Sequence, residues 1–123
     1  MNMDTIKIID IVANALNDKK AIDINVIGVE DLTVLTEYFV IATATSSTHV
    51  RSLADEVEDK LSENGVTPDH IEGRSTGWLV LDYGSVIVHI FTKDQREFYN
   101  LDKIWSDGKL LDLDNILKQS QGD

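Results

Sequence analysis

The stretch from Trp78 to Phe91 constrains the fold of this chain most strongly, because it predicts a β-hairpin with two different faces. Two apolar runs flank Tyr83-Gly84, and a glycine can adopt the positive φ that a tight turn requires. With a loop of two or four residues, one face is aliphatic and requires a core: Leu79, Leu81, Tyr83, Val86, Val88 and Ile90. The opposite face mixes apolar, aromatic and polar side chains: Trp78, Val80, Asp82, Ile87, His89 and Phe91.

The mixed face of the hairpin has two interpretations. It can be a second core layer beneath helices, with Asp82 and His89 near its edge, because mixed sheets are often covered on both sides. It can also be an exposed surface that binds a protein partner, for which aromatic residues are typical. The pattern alone does not separate the two.

The charge of the chain restricts the partners that such a surface could have. There are 22 acidic and 11 basic residues, which gives a formal net charge of −11. Direct binding to DNA or RNA phosphates is not expected, because it requires clustered Lys and Arg. An acidic surface attracts a basic protein, although acidity also serves solubility. The chain has no cysteine, which excludes disulfides and thiolate metal sites.

The sequence gives no indication of a membrane or secretory protein. The first ten residues contain acids at Asp4 and Asp10 and no arginine, unlike a signal or transit peptide. No apolar run approaches the roughly 20 residues that span a bilayer. We therefore expect a soluble, cytoplasmic protein without membrane contacts.

Hydrophobic periodicity predicts an α/β (α+β) domain with a mixed β-sheet of four to five strands packed by helices. Strands are predicted at 22–26 and 38–44 and in the hairpin, with a short strand end at 71–73. Helices are predicted over 4–20, from the caps at 45–48 to Asn64-Gly65, over 95–100 after an Asp94–Glu97 capping box, and within 109–119. A single domain over 1–123 is expected, with 114–123 as a frayed tail.

Two residues in the predicted helices carry specific expectations. Phe98 is expected to lie in the core. His49 follows a turn rich in Thr and Ser, whose backbone amides can either cap the helix or hold an anion.

Three ordered blocks of sequence resemble the bacterial ribosomal silencing factor, or Iojap-like, family. The first comprises 37–43, 45–50 and 53–57, and the second joins 72–73, 77–78 and 81–84 to Val88-His89 and Phe91. The third is Arg96-Glu97-Phe98-Tyr99 with Leu101 and Trp105. The match extends from about residue 6 to residue 111 without large gaps, which makes it more specific than any single motif.

This resemblance implies a cytoplasmic, non-catalytic factor without a cofactor. Such factors bind the large ribosomal subunit through large-subunit ribosomal protein fourteen. They obstruct joining of the small subunit and lower translation when nutrients are short. The family fold is related to nucleotidyltransferases and is commonly found as a homodimer.

The partner-binding residues expected from the hairpin face and the matching blocks are Glu72, Arg74, Trp78, Asp82, Tyr83, Ile87, His89, Phe91, Arg96, Tyr99 and Trp105. Several also have a structural interpretation. Trp78 could be buried under a loop or helix, and Asp82 could act only in the turn. His89 could be hydrogen-bonded across the sheet, and Arg96 and Tyr99 could pin the short helix to the hairpin.

A nucleotidyltransferase-like enzyme is the main alternative, because the implied fold is shared. That chemistry needs two carboxylates on one strand to hold Mg²⁺ and a Gly-Ser turn to grip phosphates. Residues 23–25 (Asp-Ile-Asn) supply only one acid, residues 112–114 (Asp-Leu-Asp) lie beyond the predicted sheet, and Gly84-Ser85 precedes a strand without paired acids. No catalytic or metal-ligating residue is therefore predicted. An interaction module for another basic protein would use the same mixed face.

Overall fold

A parallel pair of strands, β2 (Tyr38–Ala44) and β5 (Val86–Thr92), lies at the centre of the fold. β2 was predicted as a central strand because its run of β-prone residues is apolar throughout, as in strands covered on both faces. The computed structural model describes residues 4–73 and 77–121, and within 118–121 only the backbone. In the sheet of these residues, β2 and β5 each have a strand on both sides, which confirms the predicted central position of β2.

The remaining strands extend this pair into a mixed sheet of order β3-β4-β5-β2-β1-β6. They are β1 (Ile22–Gly28), β3 (His70–Glu72), β4 (Trp78–Asp82) and β6 (Lys109–Leu110), all paired antiparallel. The mixed sheet is confirmed, but the described residues form six strands rather than four or five. The additional strand, β6, has two residues, which is too short for an alternating pattern to reveal it. The last helix, predicted within 109–119, spans Leu113–Gln121, because β6 occupies the first two of those positions.

Three helices cover one face of the sheet and enclose the main core: α1 (Thr5–Asp18), α2 (Ser47–Ser62) and α5 (Leu113–Gln121). The aliphatic face of the hairpin points into this core, and all six of its predicted side chains are buried. Asp4 caps α1 by accepting from the amide of Ile6. Helix α5 continues through most of the segment that was expected to fray.

His49 joins the two long helices where their ends meet. Its Nδ1 accepts a hydrogen bond of 2.9 Å from the amide of Thr45, so the ring hydrogen must lie on Nε2. This Nε2 donates to the carbonyl of Lys19 at 2.7 Å. The amide of His49 in turn donates to Oγ of Ser46, the N-cap of α2. These amides already have acceptors, which supports the capping interpretation of the turn over an anion site.

Gly108 allows β6 to approach the sheet. A Cβ at this position would lie 2.6 Å from Cγ2 of Ile27 and 2.7 Å from the carbonyl oxygen of Gly28. Both atoms belong to β1, which pairs with β6. The absence of a side chain at Gly108 is therefore a condition for this pairing.

We predict that Gly108→Ala lowers the free energy of unfolding by about 1–3 kcal/mol, the range for overpacked sites. Urea unfolding followed by circular dichroism measures it. Asp107→Ala, at the exposed neighbouring position, is the matched control and should change stability by less than about 0.5 kcal/mol. Equal stability of the two variants would contradict the close approach.

Candidate protein-binding surface

The second face of the sheet is covered over only part of its width. Helices α3 (Lys93–Tyr99) and α4 (Leu101–Ile104) lie on this side, and Leu101 of α4 joins a smaller apolar cluster there. Its buried members are Ile27, Val29, Phe39, Ile41 and Phe91, and its partly buried members are Trp78, Ile87, Leu101 and Trp105. Each interpretation of the mixed face therefore describes one part of it. It is a core layer near β2 and β5, and a partly open surface near β3 and β4.

The strand register aligns the open part of this face. Directly paired residues of antiparallel strands share a face. Asp82 pairs with Ile87 and Trp78 with Phe91. Val80 pairs with both Glu72 and His89. The structure thus brings together six of the residues that were expected to bind a partner: Glu72, Trp78, Asp82, Ile87, His89 and Phe91.

An aromatic surface, formed by Trp78, Phe98 and Tyr99, lies at the boundary between the sheet and α3. The rings of Trp78 and Tyr99 are 4.4 Å apart, and those of Phe98 and Tyr99 are 5.0 Å apart and perpendicular. Phe98 is 78% exposed and Tyr99 41%, while Trp78 is half-buried. Beneath it, Trp78 stacks on the fully buried Phe91 at 5.0 Å. Phe91 supports this surface from below and does not form it.

The prediction that Phe98 lies in the core was wrong. α3 begins two residues earlier than predicted, and its N-cap is Thr92 without a side-chain cap, so the expected Asp94–Glu97 capping box is absent. Arg96 of α3 faces inward. Because successive helix residues are rotated by about 100°, Phe98 lies about 200° around the helix from it and faces outward.

Arg96 fastens α3 and α4 to the sheet. Its Nε and Nη2 donate to the two carboxylate oxygens of Asp102 at 3.0 and 2.9 Å. Its Nη1 donates to Oγ1 of Thr43 at 2.8 Å and to the backbone carbonyl of Asp23. Asp102 also accepts from Nδ2 of Asn25 at 2.8 Å. The side chain of Arg96 is only 12% exposed, so it has a positioning role. It pins the helix to β1 and β2, not to the hairpin.

The electrostatics of this ion pair favour the charged carboxylate. Burial alone would raise the pKa of Asp102, but the hydrogen bonds from Arg96 and Asn25 and the guanidinium charge outweigh it, so this pKa lies below its ordinary value.

Two non-glycine residues close to this ion pair in sequence or contact adopt a positive φ, Asp23 (49°) and Asn100 (50°). Asn100 separates α3 from α4, and the bend allows Trp105 to pack on Phe39 at 5.0 Å.

His89 is hydrogen-bonded across the sheet, as one of its interpretations proposed. Its Nδ1 accepts from Nε1 of Trp78 at 3.1 Å. Burial lowers the pKa of His89 from 6.5 to about 4, so the ring is neutral at pH 7. It also lies 5.0 Å from the ring of Phe39, edge to face.

The two expected residues beside the turn, Asp82 and Tyr83, face opposite sides of the sheet. Tyr83 lies on the opposite face in the main core, because alternation along the strand turns it away from Trp78. Burial, and secondarily Glu58, raise the pKa of its hydroxyl above the ordinary value. Oδ1 of Asp82 accepts from the amide of Gly84 at 2.8 Å, and Gly84 has the predicted positive φ of 83°. Arg74 lies outside the described residues.

The structure also contains a cleft of about 570 Å³ at the carboxyl ends of β2 and β5. Its lining includes Asp23, Thr43, Lys93 and Arg96. The Gly84-Ser85 turn precedes β5, so it lies at the opposite end of that strand, about 20 Å away for seven residues. Among the described residues, no three His, Cys, Asp or Glu side chains are grouped to hold a metal ion. The Gly84-Ser85 turn and this cleft are therefore not adjacent.

Exposed apolar residues on α4 and in the β1–β2 loop were not anticipated. Ile104 on α4 is exposed, as are Leu32, Val34 and Leu35 in the loop. The sequence around them shows no alternation that would distinguish an exposed residue from a buried one. None of the helices in 4–73 and 77–121 combines the length and apolar character of a membrane span.

We predict that Arg96→Lys lowers the free energy of unfolding by about 2–4 kcal/mol. Lysine keeps the charge but cannot make the two-pronged contact with Asp102 while also reaching Thr43. Guanidinium chloride unfolding measures the change. Lys93→Ala, at an exposed position of the same helix, should be nearly neutral. A stable Arg96→Lys protein would show that this hydrogen-bond network does not hold α3.

We predict a stability loss in acid that depends on His89. Its folded pKa of about 4 lies below the ordinary 6.5, so below pH 6.5 the unfolded chain binds a proton that the folded chain does not. The free energy of unfolding should fall by about 3 kcal/mol from this group between pH 6.5 and 4. Urea unfolding of wild type and His89→Asn across this range isolates the effect. Parallel pH profiles would contradict it.

Comparison with known proteins identifies the family. The family model described as "Ribosomal silencing factor during starvation" matches residues 2–123. The ribosomal silencing factor RsfS of Bacillus subtilis is 39% identical over 118 residues, covering 95% of this chain and all of that protein. The chloroplastic protein Iojap of Zea mays is 32% identical over 101 residues, covering 82% of this chain and 44% of that protein.

Two solved structures have the same fold. A crystal structure of a Chromobacterium violaceum protein has a TM-score of 0.82 and 32% identity, covering 85% of this chain and 88% of that one. A Bacillus halodurans crystal structure has a TM-score of 0.76 and 29% identity, covering 86% of this chain and 97% of that one. With a family model that matches nearly the whole sequence, this chain belongs to the ribosomal silencing factor family.

Proposed function

We propose that this protein acts in the cytoplasm by binding the large ribosomal subunit through large-subunit ribosomal protein fourteen. The bound protein prevents the small subunit from joining and so represses translation when nutrients are limited. Membership of the ribosomal silencing factor family supports this role. The role requires a contact surface and steric obstruction, and no catalytic group.

The observation that carries this proposal is the aromatic surface. Phe98 is largely exposed, and it lies beside Tyr99 and the half-buried Trp78. Adjacent aromatic rings left open to water are characteristic of protein interfaces, where tryptophan and tyrosine often dominate the binding energy. Buried Phe91 and the hydrogen bond to His89 support the indole from below.

The charge around this surface fits a basic partner. Glu72 on β3 and Asp94 and Glu97 on α3 are exposed, and the whole chain carries a net charge of −11. One carboxylate oxygen of Asp82 binds the turn, and the other can accept a hydrogen bond from a Lys or Arg of the partner. Such charges accelerate encounter and favour one orientation of docking.

The proposal includes the homodimer expected for the family. Sedimentation equilibrium would test it directly, because a dimer has twice the 13.8 kDa mass of the chain. The same measurement with Trp78→Ala shows whether the dimer contact and the aromatic surface overlap.

We predict that Trp78→Ala weakens binding to the large subunit by at least about tenfold, corresponding to about 1–2 kcal/mol for an interface anchor. Co-sedimentation with isolated large and small subunits at near-physiological salt measures binding, and sucrose gradients measure subunit joining. Ile6→Ala is the control, because Ile6 is exposed on α1, across the sheet from this surface.

Each outcome has a definite meaning. Binding of the wild type to the large subunit alone, with loss of joining, supports the proposal. Binding to neither subunit overturns it, and thermal stabilisation by nucleotide with magnesium would favour the enzyme alternative. A folded Trp78→Ala protein that binds as tightly as wild type would remove the aromatic surface from the contact.

A further inference from the structure

We infer that His89 is a positioning residue that holds the indole of Trp78 in one orientation, so that Trp78 presents a carbon edge to an apolar pocket of the partner. The inference rests on the proposed function, because it states how the aromatic surface is prepared for binding. It also assigns a chemical character to the partner's pocket, namely apolar and without a hydrogen-bond acceptor for the indole.

Among the described residues, Phe91, Tyr99 and His89 hold the indole of Trp78. On the adjacent strand, Trp78 pairs directly with Phe91, and its ring stacks on that phenyl ring with a 24° interplanar angle. Tyr99 of α3 packs against it at 4.4 Å. His89 occupies the diagonal position, two residues before Phe91, and accepts the indole N–H at 3.1 Å. Diagonal neighbours on one face are within reach of long side chains.

The chemistry of this hydrogen bond determines the state of His89. An indole N–H can only donate, so Nδ1 must carry the lone pair and Nε2 the hydrogen. This Nε2 is buried and has no hydrogen-bond partner within the described part of the chain. An unpaired buried donor costs stability, and an aliphatic side chain would fill the same space without that cost. The acceptor at Nδ1 therefore has a role that packing alone does not provide.

That role concerns binding. The indole N–H of Trp78 points inward to the ring of His89, which is only 7% exposed. The indole therefore needs no acceptor from the partner. A side chain that is already held in one orientation loses less conformational freedom when the partner docks. Trp78 can thus act as a rigid apolar anchor although its side chain contains a polar group.

Two variants at position 89 separate an acceptor role from a packing role. His89→Asn is smaller than histidine, but its amide oxygen can occupy the place of Nδ1. His89→Leu fills the space and has no acceptor. If His89 positions the indole of Trp78, His89→Leu should weaken binding to the large subunit about tenfold, and His89→Asn by less than about threefold. The reverse order would overturn the inference, because it would mean that only volume matters.

A double-mutant cycle with Trp78→Phe tests the contact itself. Phenylalanine has no N–H, so His89→Leu should cause no further loss of binding in that background. An equal loss in both backgrounds would overturn the inference, because His89 would then act on binding by another route.

A spectroscopic readout is independent of the ribosome. In the nuclear magnetic resonance spectrum of the free protein, the indole proton of Trp78 should exchange with solvent at least about tenfold more slowly than that of Trp105, whose N–H makes no hydrogen bond within the described residues. His89→Leu should abolish the difference and His89→Asn should retain it. Rapid exchange of the Trp78 proton in the wild type would overturn the positioning role even if both variants failed to fold.

These measurements distinguish failure of the inference from failure of the proposed function. If the wild type binds neither subunit while the Trp78 indole proton is protected, the ribosomal function is wrong and His89 still positions the indole. If the wild type binds and the proton is unprotected, the function stands and the positioning role is rejected.

Discussion

The orientation of α3 and α4 depends on one buried guanidinium. Arg96 uses the fixed geometry of its donors to bind a carboxylate on α4, a hydroxyl on β2 and a backbone carbonyl on β1. Replacing such an ion pair by apolar side chains often costs little, because desolvation offsets most of the attraction, whereas weakening one partner leaves the other without its contacts. The contribution of the ion pair here is geometric. It determines which side of α3 faces the sheet, and thereby places Tyr99 beside Trp78 and leaves Phe98 in solvent.

Side chains of the hairpin β4–β5 alternate between the two faces of the sheet and so contribute to the apolar clusters on both. Its aliphatic side chains enter the main core beneath α1 and α2, and its mixed side chains form the second face. A slip of one residue in register would exchange the two sets, burying Asp82 in the main core and exposing Leu81. The requirement for a dry core on one side therefore fixes the arrangement of Trp78, His89 and Phe91 on the other.

The fold could be predicted from the sequence wherever periodicity was regular. The two long helices, the central strand and both faces of the hairpin follow from apolar spacing, and the structure agrees with each. The residues that periodicity could not place depend on contacts distant in sequence. Phe98 is exposed because Arg96 reaches Asp102 and Thr43, and β6 exists because Gly108 lets it approach β1. Neither contact leaves a local signal.

The candidate surface was predicted in its strand residues and less well in its helical ones. Alternation correctly placed Trp78, Asp82, Ile87, His89 and Phe91 on one face and Tyr83 on the other, although Tyr83 was also expected to bind the partner because it lies in the second matching block. The parallel pairing of β2 with β5 has one more consequence. Each residue of β2 pairs with one 48 positions later, Tyr38 with Val86 and Ala44 with Thr92. During its own synthesis, the chain cannot close the centre of its sheet until β5 has left the exit tunnel, so α1 and α2 have no completed sheet to pack against before about three quarters of the chain has been made.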